Sequence, residues 1–95
     1  MVSIVWTDHA KEDLRSIFDY ISKDSKFYAS RYVDKLISRV GQLESNPRSG
    51  RIVPEFNRDE IRELIEGNYR IVYRYRGDAV TVLRIHHSAS QLKGL

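Results

Sequence analysis

The sequence contains no cysteine, and this absence excludes disulfide bonds and thiolate chemistry. The chain is therefore compatible with a reducing compartment. The N-terminus also lacks the basic segment followed by an apolar run that marks a signal peptide, and no apolar stretch approaches the length of a membrane span. We expect a cytoplasmic protein that makes no membrane contact.

Proline and glycine are scarce as well, with two and five residues among 95, and they form no linker or low-complexity tract. A chain of this length with 41% hydrophobic residues can bury one core but is too short to divide into two. We therefore predict a single domain that spans residues 1–95.

The net charge is +3, and all of the excess lies in the second half of the chain. Residues 1–47 hold seven basic and seven acidic side chains, whereas residues 48–95 hold nine and six. Eight of those nine are arginines, whose planar guanidinium matches phosphate and carboxylate groups well. A polyanion or an acidic protein partner fits this distribution.

Two amphipathic helices are predicted in the first half. The run VSIVW (2–6) favours a short strand, and Thr7 or Asp8 can cap the helix that follows it. Apolar residues then recur at helical spacing up to a predicted helix end near Lys23. A second helix is predicted from residues 24–25 to about residue 44, so that the two form a helical hairpin.

The second half predicts antiparallel strands after the loop SNPRSGR (45–51). Glycine in the links EGN (66–68) and GD (77–78) favours type II′ hairpin turns. The predicted strands are Ile61–Ile65, Tyr69–Arg76 and Ala79–His86. The expected fold is α+β, with an N-terminal strand and a two-helix hairpin packed on one face of a small antiparallel sheet.

If Gly77 and Asp78 form a two-residue turn, the register of the last two strands follows. One face then collects Tyr69, Ile71, Tyr73, Tyr75, Val80, Val82, Arg84 and His86. This face suits the helices, which would leave the other face open. The open face is predicted to hold Arg70, Val72, Arg74, Arg76, Thr81, Leu83, Ile85 and His87.

The arginines of the open face are the first candidates for a binding site. Arg74 and Arg76 lie toward the hairpin tip, where their heads can instead pair with Glu63 or other carboxylates. Arg70 lies beside the EGN turn, close to where His87 and the chain end are expected to return. We therefore predict a small cationic cluster around Arg70.

Other chemistry has little support in the sequence. His86 and His87 are adjacent on one strand and must point to opposite faces, so they cannot share a metal ion. We expect no metal and no cofactor. Histidine is a common general base, but a lone histidine at a strand end, such as His87, is more often a hydrogen-bonded structural residue. Ser88 beside it lacks the G-x-S-x-G context of a nucleophile, so acyl-transfer catalysis has little support.

Several segments together resemble the RelE/ParE superfamily of toxins from type II toxin–antitoxin modules, and the resemblance covers nearly the whole chain. It is carried, in this order, by WTDHAKEDLRSIFDYISKDS, NPRSGRIVPEF, IRELIEGNYRIVYRY and VLRIHHSAS. The resemblance implies a toxin that a co-encoded antitoxin neutralises, with an antitoxin tail lying along the helices or adding to a sheet edge. A hetero-oligomer of the two proteins would follow.

Two activities divide that superfamily. RelE-like members are ribosome-dependent ribonucleases that cleave mRNA, and by position Arg70 matches their sheet arginine while Arg62 lies near a lysine of theirs. On that alternative Arg62, Arg70 and His87 would be catalytic, and ribosome and mRNA would be partners. ParE-like members poison DNA gyrase, and the tail HHSASQLKGL, with only Lys93 as a basic residue, resembles their pattern more closely. We therefore expect a ParE-like gyrase inhibitor whose target or antitoxin contacts involve Arg70, Arg74, Arg76 and His87.

Overall fold

The computed structural model describes residues 1–88 and Leu92, and within them the predicted α+β fold is confirmed. A short 3₁₀ turn at Gln42–Glu44 follows the second helix. The elements are β1 (Ser3–Trp6), α1 (Asp8–Ser22), α2 (Lys26–Gly41), β2 (Arg51–Ile52), β3 (Ile61–Glu66), β4 (Tyr69–Arg76) and β5 (Ala79–His87).

The five strands form one sheet in the order β1-β5-β4-β3-β2. All neighbours are antiparallel except β1, which runs parallel to β5, so the sheet is mixed and not wholly antiparallel as predicted. The helical hairpin between β1 and the rest of the chain supplies the long connection that a parallel pair requires. Within the described residues, no helix is long and apolar enough to cross a membrane.

Both helices begin at side-chain caps within the predicted windows. The Thr7 hydroxyl accepts a hydrogen bond from the Ala10 N–H at 3.1 Å, and the Ser25 hydroxyl accepts one from Tyr28. Each cap satisfies a backbone donor that the first turn of a helix would leave unpaired. Thr7 also donates to the carbonyl oxygen of Val82, which ties the start of α1 to β5.

The two hairpin turns follow the glycine prediction. Gly67 and Gly77 have φ values of +58° and +64°, whereas Asn68 and Asp78 have negative φ. Positive φ at the first turn residue alone is the type II′ pattern, which matches the twist of the flanking strands. Residues before and after each turn pair directly, so β3, β4 and β5 form a meander with the predicted pairing at the tip.

The helices pack on the predicted apolar face and form the main core. Ile71, Tyr73, Val80 and Val82 from the sheet are fully buried. They contact an apolar stripe on the helices and the 3₁₀ turn made by Ala10, Ile17, Leu36, Val40 and Leu43. This stripe recurs at helical spacing, so burial of the helix faces follows from the sequence pattern.

A β-bulge changes the predicted register of β5. Between Tyr73 and Val72 of β4 the partner shifts from Val82 to Arg84, which leaves Leu83 as the extra residue. The bulge moves Ile85 from the predicted open face into the main core. Because side chains alternate along a strand, one extra residue reverses the faces of everything beyond it.

The second face of the sheet was predicted to be open, and that prediction is wrong. A smaller core covers it, in which Val53 and Leu92 pack against Ile61 and Val72. Phe56 and Leu83 border this small core. Val53 from the loop after β2 and Leu92 therefore cover part of the surface that the helices leave uncovered.

Asp13 secures the bulged part of β5, and we predict that its removal destabilises the protein. β1 pairs with β5 only as far as Val82. Past that point, the Asp13 carboxylate accepts hydrogen bonds from the Ile85 N–H at 2.9 Å and from Arg84 at 2.8 Å. Asp13→Ala should lower the free energy of unfolding by about 1–3 kcal/mol, since a partly buried N–H loses its acceptor. Urea denaturation measures this change.

Asp19→Ala is the matched control, because Asp19 is an exposed carboxylate on the same helix. It removes the same chemical group and should change stability by less than about 0.5 kcal/mol. Equal stability of the two variants would contradict the role of Asp13.

Candidate functional site

The predicted cationic cluster around Arg70 is instead a buried network of balanced charge. Arg70 is only 7% exposed, and its Nε lies 2.5 Å from the carboxylate of Glu63, which is fully buried. Its two terminal nitrogens each lie 2.7 Å from an oxygen of Glu55. Arg51 donates to the second Glu63 oxygen at 2.6 Å, so two guanidinium groups face two carboxylates.

Strand register explains why these groups meet. Ile65 lies opposite Arg70 and Glu63 lies opposite Val72, which places Glu63 diagonally beside Arg70 on the face of the small core. Arg51 lies directly opposite Glu63 on the edge strand β2. The network is therefore built by neighbouring strands and is completed by Glu55 from the loop that follows β2.

Charge pairing lowers the pKa of Glu55 and raises the pKa of Arg70. Hydrogen bonds from Arg70 are the main reason that the pKa of Glu55 is lowered to about 2, and the backbone of Leu92 makes a smaller contribution in the same direction. The same contacts, first with Glu55 and then with Glu63, raise the pKa of Arg70 further above its ordinary value. Glu55 is thus held in its ionised form by Arg70.

The other two arginines of the predicted binding face lie nearer the hairpin tip. Arg76 is exposed and pairs with Glu60, with its Nη2 2.9 Å from the carboxylate. This outcome confirms the alternative in which arginine heads pair with carboxylates. Arg74 is partly exposed and forms no ion pair with a described residue. The role of either arginine in binding a target or antitoxin stays a prediction.

Arg62 anchors the SNPRSGR loop. Its guanidinium donates to the carbonyl oxygen of Gly50 at 2.9 Å and pairs with Asp59 at 2.7 Å. Tyr73 acts on the same loop, because its hydroxyl donates to the Pro47 carbonyl and accepts from the Gly50 N–H. A side chain at Gly50 would come within 2.7 Å of that hydroxyl, so only glycine fits this approach.

His87 does not share a face with Arg70, and the predicted placement on the open face is wrong. The bulge turns His87 toward the main-core side, where its ring contacts Tyr69 edge-on at a centroid distance of 5.2 Å. His86 lies opposite Arg70 in the register instead. The physical reason is the extra residue in β5, which no turn rule at the hairpin tip predicts.

The three residues suggested for ribonuclease chemistry are consequently separated. Arg62 lies opposite Tyr73, whose ring belongs to the main core, whereas Arg70 lies on the face of the small core. His87 is at the far end of β5, beside the turn between β3 and β4. Across residues 1–88 and Leu92, no group of three or more His, Asp or Glu side chains could hold a metal ion.

Several residues of this region were not identified from the sequence. Glu55, Asp59 and Glu60 form ion pairs with the arginines and Arg51 pairs with Glu63, but only the possibility of a Glu63 partner was visible in the alternation of β3. Glu55 lies in an irregular loop, so no periodicity indicates the direction of its side chain.

We predict that Arg70→Ala destabilises the fold, because among the described residues it leaves the buried Glu63 carboxylate with Arg51 as its one cationic partner. The expected loss is about 3–5 kcal/mol, as for the breaking of other buried ion pairs. Arg76→Ala, which removes an exposed arginine, should cost less than about 1 kcal/mol. Urea denaturation of both variants, followed by circular dichroism, tests this difference, and an unchanged stability of Arg70→Ala would contradict it.

The pKa of Glu55 predicts a dependence of stability on pH. Because the folded pKa is about 2 and the ordinary value is 4.5, the ionised carboxylate stabilises the fold above pH 4.5, and this contribution is lost as the pH falls toward 2. The difference in unfolding free energy between the parent and Glu55→Gln should therefore shrink between about pH 7 and about pH 3.

Glu44→Gln is the control for this titration, because Glu44 is an exposed carboxylate outside the network. Its difference from the parent should stay small throughout. A Glu55→Gln difference that is the same at both pH values would show that the charge of Glu55 does not stabilise the network.

Comparison with known proteins identifies the family to which this architecture belongs. Residues 4–92 match the family model described as the ParE toxin of the type II toxin–antitoxin system, parDE. The chain is 32% identical over 90 residues to Toxin RelE2 of Caulobacter vibrioides, a match that covers 94% of this chain and 98% of the relative.

Solved structures share the fold. The chromosomal ParDE system of P. aeruginosa contains a chain that superposes with a TM-score of 0.76 at 27% identity, with 92% of this chain and 96% of that chain covered. The toxin–antitoxin complex RelBE2 of Mycobacterium tuberculosis has a TM-score of 0.66 at 22% identity, with 90% and 96% covered, and supports the fold alone. The family match over nearly the whole length shows that this chain belongs to the ParE toxins of type II toxin–antitoxin systems, within the RelE/ParE superfamily.

Proposed function

We propose that this toxin inhibits DNA gyrase and is held inactive by a co-encoded antitoxin. The observation that carries the proposal is the separation of Arg62, Arg70 and His87, the residues that an mRNA-cleaving relative would use. Cleavage of RNA without a metal needs several cationic or proton-transferring groups around one phosphate. Here the three side chains lie on two faces and at different ends of the sheet.

The state of Arg70 also argues against a role in phosphate binding. Its Nε and both terminal nitrogens already donate to Glu63 and Glu55, and it is almost fully buried. A phosphate could bind the terminal nitrogens of Arg70 only if Glu55 moved away. Such an opening would work against the pairing that keeps Glu63 buried.

The antitoxin is the expected protein partner, since the matching family model describes toxins of the parDE toxin–antitoxin system and the P. aeruginosa relative comes from a ParDE system. On the helical hairpin, Tyr20, Phe27 and Tyr28 are each 67% exposed. Large exposed aromatic side chains are enriched where protein interfaces form. They favour the helices over the sheet edge as the surface on which an antitoxin tail docks.

A supercoiling assay run beside a translation reaction tests the proposed target. Purified toxin should reduce the supercoiling of relaxed plasmid by gyrase in proportion to its concentration, and primer extension should find intact mRNA on translating ribosomes. Leu36→Asp provides an unfolded control, because it places a charge at a fully buried position, and it should have no effect on gyrase.

Each remaining outcome of the paired assay has a defined meaning. Cleaved mRNA with unaffected gyrase would replace the proposal with the RelE-like ribonuclease. Intact mRNA with unaffected gyrase would indicate a member that binds its antitoxin but has lost toxicity, and expression without growth arrest would support that reading.

A further inference from the structure

A group of arginines surrounds the turn before β3, and it includes Arg74 and Arg76, whose predicted role is to bind a target or antitoxin. Two neighbouring carboxylates, Asp59 and Glu60, each pair with two arginines of this group. A fifth arginine lies two residues before Arg76 on the same side of β4. We call this group the arginine patch, and its members are Arg48, Arg58, Arg62, Arg74 and Arg76.

The arginine patch carries the whole net charge of the protein. It holds five of the 16 basic residues and two of the 13 acidic residues, which leaves 11 of each sign in the rest of the chain. Even if Asp78 of the adjacent turn is included, the local excess is two positive charges. Concentrated charge of one sign attracts a polyanion and speeds its association.

Three of the five guanidinium groups are available to a ligand from solvent. The side chains of Arg48, Arg58 and Arg76 are 63%, 60% and 63% exposed. Arg48 lies over the ring of Tyr75 at 5.4 Å from its centroid, which restricts where its head can lie. Each guanidinium has five donors, and the shared carboxylates occupy only part of them.

The ion pairs within the arginine patch can be exchanged for pairs with another anion. Asp59 is 65% exposed and lies 2.9 Å from Arg48. Pairs between exposed groups contribute little to stability, so replacing Asp59 by a phosphate costs little. The patch differs in this respect from the Arg70 network, whose carboxylates are held by burial.

We propose that the arginine patch binds the phosphate backbone of duplex DNA. The choice of DNA rests on the proposed function, because gyrase acts on DNA. The structure favours a duplex over single strands, which bind through aromatic side chains that stack on bases. Among the described residues, the strongly exposed aromatic side chains are on the helical hairpin, while Tyr75 is partly covered by Arg48.

The test is fluorescence anisotropy of a labelled duplex DNA, with the toxin alone, over a series of salt concentrations. The logarithm of the binding constant should fall linearly with the logarithm of salt between about 50 and 200 mM. Arg48→Gln and Arg76→Gln should each reduce the steepness of that slope by about 1 and weaken binding several-fold. Both side chains are exposed, so circular dichroism should show intact folds.

Arg15→Gln is the matched control, because Arg15 is an exposed arginine on α1 outside the patch and the net charge changes equally. It should leave the slope unchanged. Asp59→Asn should strengthen binding several-fold, since it removes an anion that competes for Arg48 and Arg62.

Three results would overturn the inference. They are the absence of salt-dependent binding, equal losses in Arg15→Gln and Arg48→Gln, and tighter binding of single-stranded RNA or polyglutamate than of duplex DNA. Failure of the gyrase assay alone would leave the DNA measurement intact, because that measurement contains no gyrase. Conversely, a parent toxin that fully inhibits gyrase but does not bind duplex DNA would reject the proposed role of the arginine patch and keep the proposed function.

Discussion

The carboxylate of Glu63 lies fully buried on the sheet between the guanidinium groups of Arg51 and Arg70. A buried charge that loses one partner is strongly unfavourable, so both arginines must stay in place. Arg70 in turn binds Glu55 in the loop that follows β2. One buried charge on β3 therefore fixes the edge strand and the following loop on one face of the sheet.

This constraint also determines where the positive charge of the protein can act. The arginine that the sequence placed at the centre of the binding face is neutralised and covered, whereas Arg48, Arg58 and Arg76 remain exposed around Asp59 and Glu60. The Arg70 network and the arginine patch both consist of arginines and carboxylates, but the first is buried and the second is largely exposed. The first stabilises the fold, and the second can exchange its anions with a ligand.

How far the sequence predicts the fold depends on the range of the interactions involved. The helix starts at Thr7 and Ser25 and the turns at Gly67 and Gly77 are fixed by residues within a few positions, and all four follow the sequence rules. The sequence rules predict correctly which face each side chain of β5 occupies only as far as Val82. Beyond it, the bulge joins the strand to α1 through Asp13, a partner more than 70 residues away.

The sequence by itself determined the α+β class, the two helices, the strand meander and the family resemblance, because these are expressed in periodicity, turn residues and motif order. The tertiary structure alone decided which arginines are paired, that His87 turns away from Arg70, and that a small core closes the second face. The physical reason is that Glu55, Asp59 and Glu60 lie in irregular loop or turn positions. Their directions are set by the arginines they meet and not by any local repeat.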